Sequence, residues 1–380
     1  MRVINCDGSP AAVRELVTAL RAVLVGGAAL APVAAGRPPP PRDPGLGQVV
    51  VATSGSTGGS AGKPKWVQLS ADALRASAAA AHARLGGPGR WLLALPAQHV
   101  AGLQVLVRSV LADTDPVVLD LSGGFDPAGF AAAAQRVTEA KQPPGRCYTA
   151  LVPTQLARLL ERCPGALTGF DAVLLGGAAT PEGLVWRART AGVRVVRTYG
   201  MTETAGGCVY DGWPLAGTKI RVAGDGRIRL AGPMLASGYL DTPPSQQESF
   251  RDGWFWTSDL GELDEWGRLH VLDRADDMIV TGGIKVAPAE VEAVLTGLPG
   301  VAAACVVGLP DPQWGQRVCA AVVPANRAHP PQPAALRTAA RRLLTGAQTP
   351  KEIVLLKALP LCGVGKPDRN AIRALLTGPR

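Results

Sequence analysis

The densest phosphate-binding chemistry in this sequence lies in Thr53-Ser-Gly-Ser-Thr-Gly-Gly-Ser-Ala-Gly-Lys-Pro-Lys65. Glycines let backbone N–H groups approach a ligand, hydroxyls add donors and a lysine supplies charge, so the run can cradle a phosphate. It is not a Walker A loop: that spacing needs Gly at 57, which is Thr57, and Lys63 is followed by Pro64. A flexible Ser/Gly linker is the plain alternative. Thr198-Tyr-Gly-Met-Thr-Glu203 offers a carboxylate for Mg²⁺, a hydroxyl for a phosphate oxygen and a ring to stack on a base. Leu174-Leu-Gly-Gly-Ala-Ala179 is a tight strand-to-helix turn or a ligand-facing one. Asp259 in Thr257-Ser-Asp-Leu260 suits a grip on ribose hydroxyls, or a turn. Asp273-Arg-Ala-Asp-Asp277 precedes a permissive Gly282-Gly283 pair, and Lys366 closes a Gly363-Val-Gly loop that by itself reads as a solvated tail.

The elements that must hold these residues alternate. Apolar runs at 48–52, 91–95, 117–121, 147–151, 171–175 and 193–198 read as strands, with helices over 71–85, 127–140, 153–162 and 181–191. Such alternation predicts parallel βαβ units, with ligands at the carboxyl ends of the strands. Residues 10–30 read as Ala-rich helix, the apolar stretch Ala22 to Ala35 as a core helix too short to span a bilayer, and Arg37 to Pro44 as an extended connection. From about 217 the segments 217–222, 226–231, 253–257 and 268–272 are short and Gly-punctuated, which suggests a small β-barrel-like part. Beyond it, a helix at 288–297, strands at 301–308 and 317–323 and a helix at 333–345 make a small α+β unit. The expected fold is therefore α/β: a large N-terminal domain, 1–275, of parallel βαβ sheets with the barrel-like part, and a small C-terminal domain, 276–380.

Composition narrows the partners. With 380 residues, 47% hydrophobic and 18% charged, the chain is globular. Its 39 basic and 30 acidic side chains leave +9, a field that suits a polyanionic small molecule. No dense Lys/Arg run carries interleaved aromatics, which argues against nucleic acid as partner. Seven cysteines form no CxxC pair and read as buried thiols of a reducing compartment, so a cytoplasmic protein without membrane insertion is expected.

In their order, these segments resemble the adenylate-forming superfamily of acyl-CoA synthetases, adenylation domains and luciferases, over about 49–372. The loop Thr53, Ser54, Gly55, Ser56, Thr57, Gly58 through Lys65 resembles that family's phosphate loop, with Gly59 to Lys63 standing where the family has one residue. Lys63 and Lys65 are both candidates for the phosphate contact. The resemblance makes Gly177 and Ala178 the adenine-pocket wall, Tyr199 and Gly200 the base platform, Thr202 a phosphate contact and Glu203 the metal ligand. Asp259 and Arg274 become ribose contacts, although Ser258 replaces the usual Gly. Asp276 becomes a hinge, Gly282 and Gly283 a thiol tunnel, and Lys366 the catalytic lysine of a mobile C-terminal domain.

Leu95-Pro-Ala-Gln-His-Val-Ala-Gly-Leu103, with Arg108 after it, and Thr198 to Tyr210 resemble compact o-succinylbenzoate–CoA ligases of menaquinone biosynthesis. There His99 would lie near the acyl and thiol entrance; the plain alternative is a satisfied core histidine. Arg108 would meet a second substrate carboxylate, or be a surface or ion-paired arginine. The implied activity is ATP- and Mg²⁺-dependent ligation of a small carboxylic acid to CoA through an acyl-adenylate. A ligase for another aryl acid, transfer to a carrier-protein thiol, and a non-catalytic nucleotide-binding protein are the alternatives. The oligomeric state is left open.

Overall fold

The computed structural model describes residues 1–53, 65–139, 145–240, 242, 247–362 and 366–377. Two compact units emerge: residues 1–221, 229–257 and 265–269 form the first, and 222–228, 258–264 and 270–380 the second.

In the first unit, β-branched and leucine-rich runs form a seven-stranded sheet. Its order is Trp213–Pro214, Gly206–Tyr210, Val195–Met201, Ala172–Leu175, Cys147–Leu151, Arg90–Leu93, Val117–Val118. The last five strands are parallel; the first two are antiparallel. Helices Pro127–Glu139 and Pro153–Arg162 bury Phe130, Val137, Leu156 and Leu159 against Leu92, Leu151, Val173 and Leu175. Each fully buried side chain of this size contributes roughly 1.5–3 kcal/mol. The alternation of strand and helix thus produces the expected parallel architecture.

A five-stranded sheet runs Arg2–Cys6, Leu30–Ala34, Gln48–Ala52, Trp66–Ser70, Gly238–Tyr239. Here the sequence reading needs correction. The expected helix from Ala22 to Ala35 does not form: helix Pro10–Leu24 stops before Gly26, which takes φ of 88°, and Leu30–Ala34 is a buried strand. Its two neighbours pair with it in parallel and supply the backbone partners that a helix would have supplied internally. A short apolar run has no period to tell the two apart. Strands Arg2–Cys6 and Trp66–Ser70 and helix Val100–Leu111 were not expected at all.

A third sheet is ordered Lys219–Val222, Arg227–Ala231, Trp254–Leu263, Phe250–Arg251, with Leu269–Arg274 also beside Trp254–Leu263. The second unit also holds a sheet ordered Ile284–Val286, Ile279–Thr281, Gly315–Pro324, Val301–Asp311, with Glu352–Leu355 parallel to Gly315–Pro324. Alternation sorts its side chains. Val306, Ala320 and Val322 meet Val291 and Leu295 of helix Pro288–Gly297 on one face. Cys305, Val307 and Ala321 meet Ile372 and Leu376 of helix Arg369–Thr377 on the other.

Among the described residues no helix is long and apolar enough to cross a membrane. Cys6, Cys147, Cys208, Cys305 and Cys319 are buried free thiols.

Candidate active site

The turn that carries Glu203 is built by its neighbours. Strand Val195–Met201 reverses through the short turn Thr202–Thr204 into Gly206–Tyr210, pairing Met201 with Gly206. Thr204 Oγ1 accepts the Met201 N–H at 2.9 Å and donates to the Gly206 carbonyl at 2.7 Å, closing the reversal. Gly200 has to be glycine: a Cβ there would lie 2.1 Å from the Gly206 oxygen. Glu203 is thereby held at the carboxyl end of the parallel strands, only 4% exposed.

The Tyr239 hydroxyl, from the five-stranded sheet, donates to Glu203 Oε1 at 2.9 Å. Burial, and then the Glu203 charge, pushes that phenol above its ordinary pKa, so it remains a protonated donor. Lys65 Nζ lies 4.6 Å from the centroid of the same ring, in cation–π range. Lys65 is fixed in turn at the backbone. Thr53 N–H donates to the Lys65 carbonyl at 2.8 Å, and Lys65 N–H to Thr53 Oγ1 at 3.1 Å. Strands Gln48–Ala52 and Trp66–Ser70 pair up to Ala52 and Trp66, so both ends of the predicted phosphate loop are clasped. Ser54, Gly55, Ser56, Thr57, Gly58 and Lys63 lie outside the described residues.

Three expected residues, Thr53, Lys65 and Glu203, are thus brought together through Tyr239, which sequence reasoning missed. Its only signal was a Gly238-Tyr239 pair in a loop-like region. Among the described residues no group of three His, Cys, Asp or Glu is placed to cage a metal. A single carboxylate suits Mg²⁺, which keeps waters and shares its shell with substrate phosphates.

The other expected residues of this unit line the same strand ends. Gly176 lets strand Ala172–Leu175 close on its neighbour, since a Cβ would stand 2.3 Å from Thr198 Oγ1, and Gly177 takes φ of 81° before Ala178. Tyr199 is half-buried opposite Val209, and Thr202 is half-buried beside Glu203. His99 is the half-buried residue that starts helix Val100–Leu111, and its N–H donates to the Pro96 carbonyl at 3.2 Å. That start requires Gly102, where a Cβ would be 2.3 Å from the Pro96 oxygen.

Nine residues along from His99, Arg108 is neither a surface nor an ion-paired arginine among the described residues. It is 3% exposed, 5.0 Å from the Trp91 ring, and donates to the Tyr210 hydroxyl at 3.3 Å. His82 Nε2, Trp91 Nε1, Gln104 Oε1 and Arg108 Nε are buried there with no hydrogen-bond partner among the described residues. Burial, with Arg108 adding to it, lowers His82 to about 4, so its imidazole is neutral at pH 7. Arg108 thus makes this buried cluster cationic and polar.

In the second unit, Arg274 donates to Asp259 Oδ1 at 3.1 Å and pairs with Asp276 Oδ2 at 3.4 Å. The two expected ribose contacts and the expected hinge residue therefore form one charged group. Gly282 and Gly283, at φ of 57° and 80°, make the two-residue turn between Ile279–Thr281 and Ile284–Val286. Lys366 is half-buried on a short strand, opposite Cys362.

Residues 37–240 match the family model of the AMP-binding enzymes, and residues 290–366 that of the AMP-binding enzyme C-terminal domain. The chain is 48% identical over 328 residues to a probable 2-succinylbenzoate–CoA ligase of Mycobacterium tuberculosis, covering 85% of this chain and 83% of that protein. The o-succinylbenzoate CoA synthetase of Bacillus subtilis, solved with its acyl-adenylate intermediate, aligns with a TM-score of 0.74 at 29% identity, covering 97% of this chain and 81% of its own. The same enzyme with ATP and magnesium ion gives 0.73 at 28% identity, covering 94% and 81%.

Proposed function

The chain belongs to the family of AMP-binding enzymes, and from that premise we propose that it is an AMP-forming acid–CoA ligase acting on 2-succinylbenzoate. The acid's carboxylate attacks the α-phosphorus of ATP; pyrophosphate leaves and an acyl-adenylate remains. The CoA thiol then attacks the acyl carbonyl, and AMP leaves.

The observation that carries this reading is the Lys65–Tyr239–Glu203 group at the carboxyl end of the parallel strands, a cation and a single carboxylate held by one phenol. Glu203 would hold Mg²⁺, which when bound neutralises the phosphate oxygens. Tyr239 donates to the carboxylate and aims it, and Thr53 and Lys65 fix the mouth of the phosphate loop. Gly177, Ala178 and Tyr199 receive the adenine, Thr202 a phosphate oxygen, and Asp259 and Arg274 the ribose. Lys366 stabilises the charge that gathers in adenylation, and no nucleophilic side chain is needed. His99 borders the acyl group. Arg108, a buried cation lacking a carboxylate partner among the described residues, receives the second carboxylate of the acid.

The test is direct. With ATP, Mg²⁺, CoA and 2-succinylbenzoate, the protein releases AMP and pyrophosphate and forms the thioester. Benzoylpropionate, the same acid without its second carboxylate, reacts with a KM raised by about tenfold or more. Absence of any thioester with 2-succinylbenzoate, while another acid supports turnover, overturns the substrate assignment.

A further inference from the structure

Lys366 reaches its place through a short, tightly bonded path. Strand Lys366–Pro367 returns from the hairpin partner Leu361–Cys362, and Asp368 N–H donates to the Pro360 carbonyl at 2.8 Å. Asp368 Oδ1 then accepts the N–H groups of Asn370 (3.1 Å) and Ala371 (3.0 Å), which starts helix Arg369–Thr377. Ile372 and Leu376 bury that helix on the sheet.

The first helical residue, three beyond Lys366, is Arg369. Its guanidinium contacts three different elements. Nη1 and Nη2 donate to Glu292 Oε1 and Oε2 at 2.6 and 3.3 Å, on helix Pro288–Gly297. Nη1 also donates to the Val306 carbonyl at 2.5 Å, on strand Val301–Asp311. Nε lies 3.5 Å from Asp277 Oδ2, in the turn Ala275–Asp277. Asp277 directly follows Asp276, which Arg274 ties to Asp259. A forked, largely buried arginine is well suited to this: it fixes direction as well as distance. Pinning the helix to the sheet would require only Glu292 and Val306. The arm to Asp277 has no such need to serve, and it joins the Lys366 segment to the very turn that holds Asp276.

We propose that Arg369 is a positioning residue for Lys366, coupling it through Asp277 to the Asp276 turn so that lysine and turn move as one piece. This rests on the reading of Lys366 as the adenylation lysine. Asp277→Asn weakens the arm alone and leaves the Glu292 fork in place; Asp277→Glu retains the charge.

The experiment measures the two half-reactions separately: pyrophosphate release from ATP and acid, and thioester formation from supplied acyl-adenylate and CoA. For Asp277→Asn the expected result is a kcat for adenylation about tenfold lower, KM for ATP and acid within about twofold, and thioester formation within about twofold of the starting protein. Asp277→Glu recovers most of the adenylation rate. Arg369→Lys, which keeps one charge but loses the fork, shows the same selective loss, larger in size.

If Asp277→Asn leaves both half-reactions unchanged, or if both fall together with the melting temperature, Arg369 is only a structural pin and the proposal is overturned. Lys366→Ala run alongside separates the premises. Adenylation that survives it removes the reading of Lys366 itself, whereas its loss there with no effect at Asp277 overturns the coupling alone.

Discussion

A carboxylate as deeply placed as Glu203 needs a donor, and Tyr239 meets that need at 2.9 Å while its ring faces Lys65. Tyr239→Phe keeps the ring and removes the donor, which costs roughly 1–3 kcal/mol at a buried acceptor. Adenylation is expected to fall by about tenfold, with KM for magnesium-bound ATP rising; unaltered kinetics would show that the phenol does not position Glu203. His82 supplies a second test. Its folded pKa of about 4 lies below the unfolded value of 6.5, so the unfolded chain binds more protons between those pH values. Stability is therefore complete above pH 6.5 and lost as pH falls toward 4, by an amount on the order of 2–3 kcal/mol. His82→Gln should flatten denaturation midpoints across that window, and an unchanged acid slope would refute the assignment. Part of the site was legible at this scale. Glu203 announces itself by charge just past a strand end, whereas Asp259, expected at a strand end, lies mid-strand in Trp254–Leu263. Tyr239, 36 residues away from Glu203 in sequence, does not, because its role exists only once two sheets meet.

Between residue and fold stand the turns, and they depend on missing side chains. Gly102 allows helix Val100–Leu111 to start over Pro96, so Gly102→Ala must move backbone. A loss of about 3 kcal/mol, seen as a melting temperature lower by roughly 6–12 °C, is expected, with KM for the acid raised as His99 shifts. A neutral substitution would mean that this start is softer than its contacts imply. Elements with a strong period or clear punctuation were readable from sequence with their bounds: Gln48–Ala52, Ala71–Leu85, Cys147–Leu151, Pro153–Arg162 and Pro288–Gly297. Val100–Leu111 was not, because four valines and a glycine lower its helix propensity and burial among neighbours overrides that preference. Leu30–Ala34 was misread for the converse reason, being short, apolar and defined only by the strands on either side.

At the scale of the whole molecule, a charge of +9 draws a polyanion such as ATP toward the surface. Raising ionic strength from about 0.05 to 0.5 M should raise KM for ATP severalfold and change kcat little; a KM insensitive to salt would assign ATP binding to short-range contacts alone. The interior adds a different property. A catalyst that handles a free sulfhydryl compound risks capturing it as a mixed disulfide, a reaction that begins with an ionised sulfur. Here Cys6 is pushed up to about 11, and Cys208 and Cys305 to about 12, by burial. Those three sulfurs stay protonated and out of reach, so none of them is poised to hold a coenzyme as an adduct.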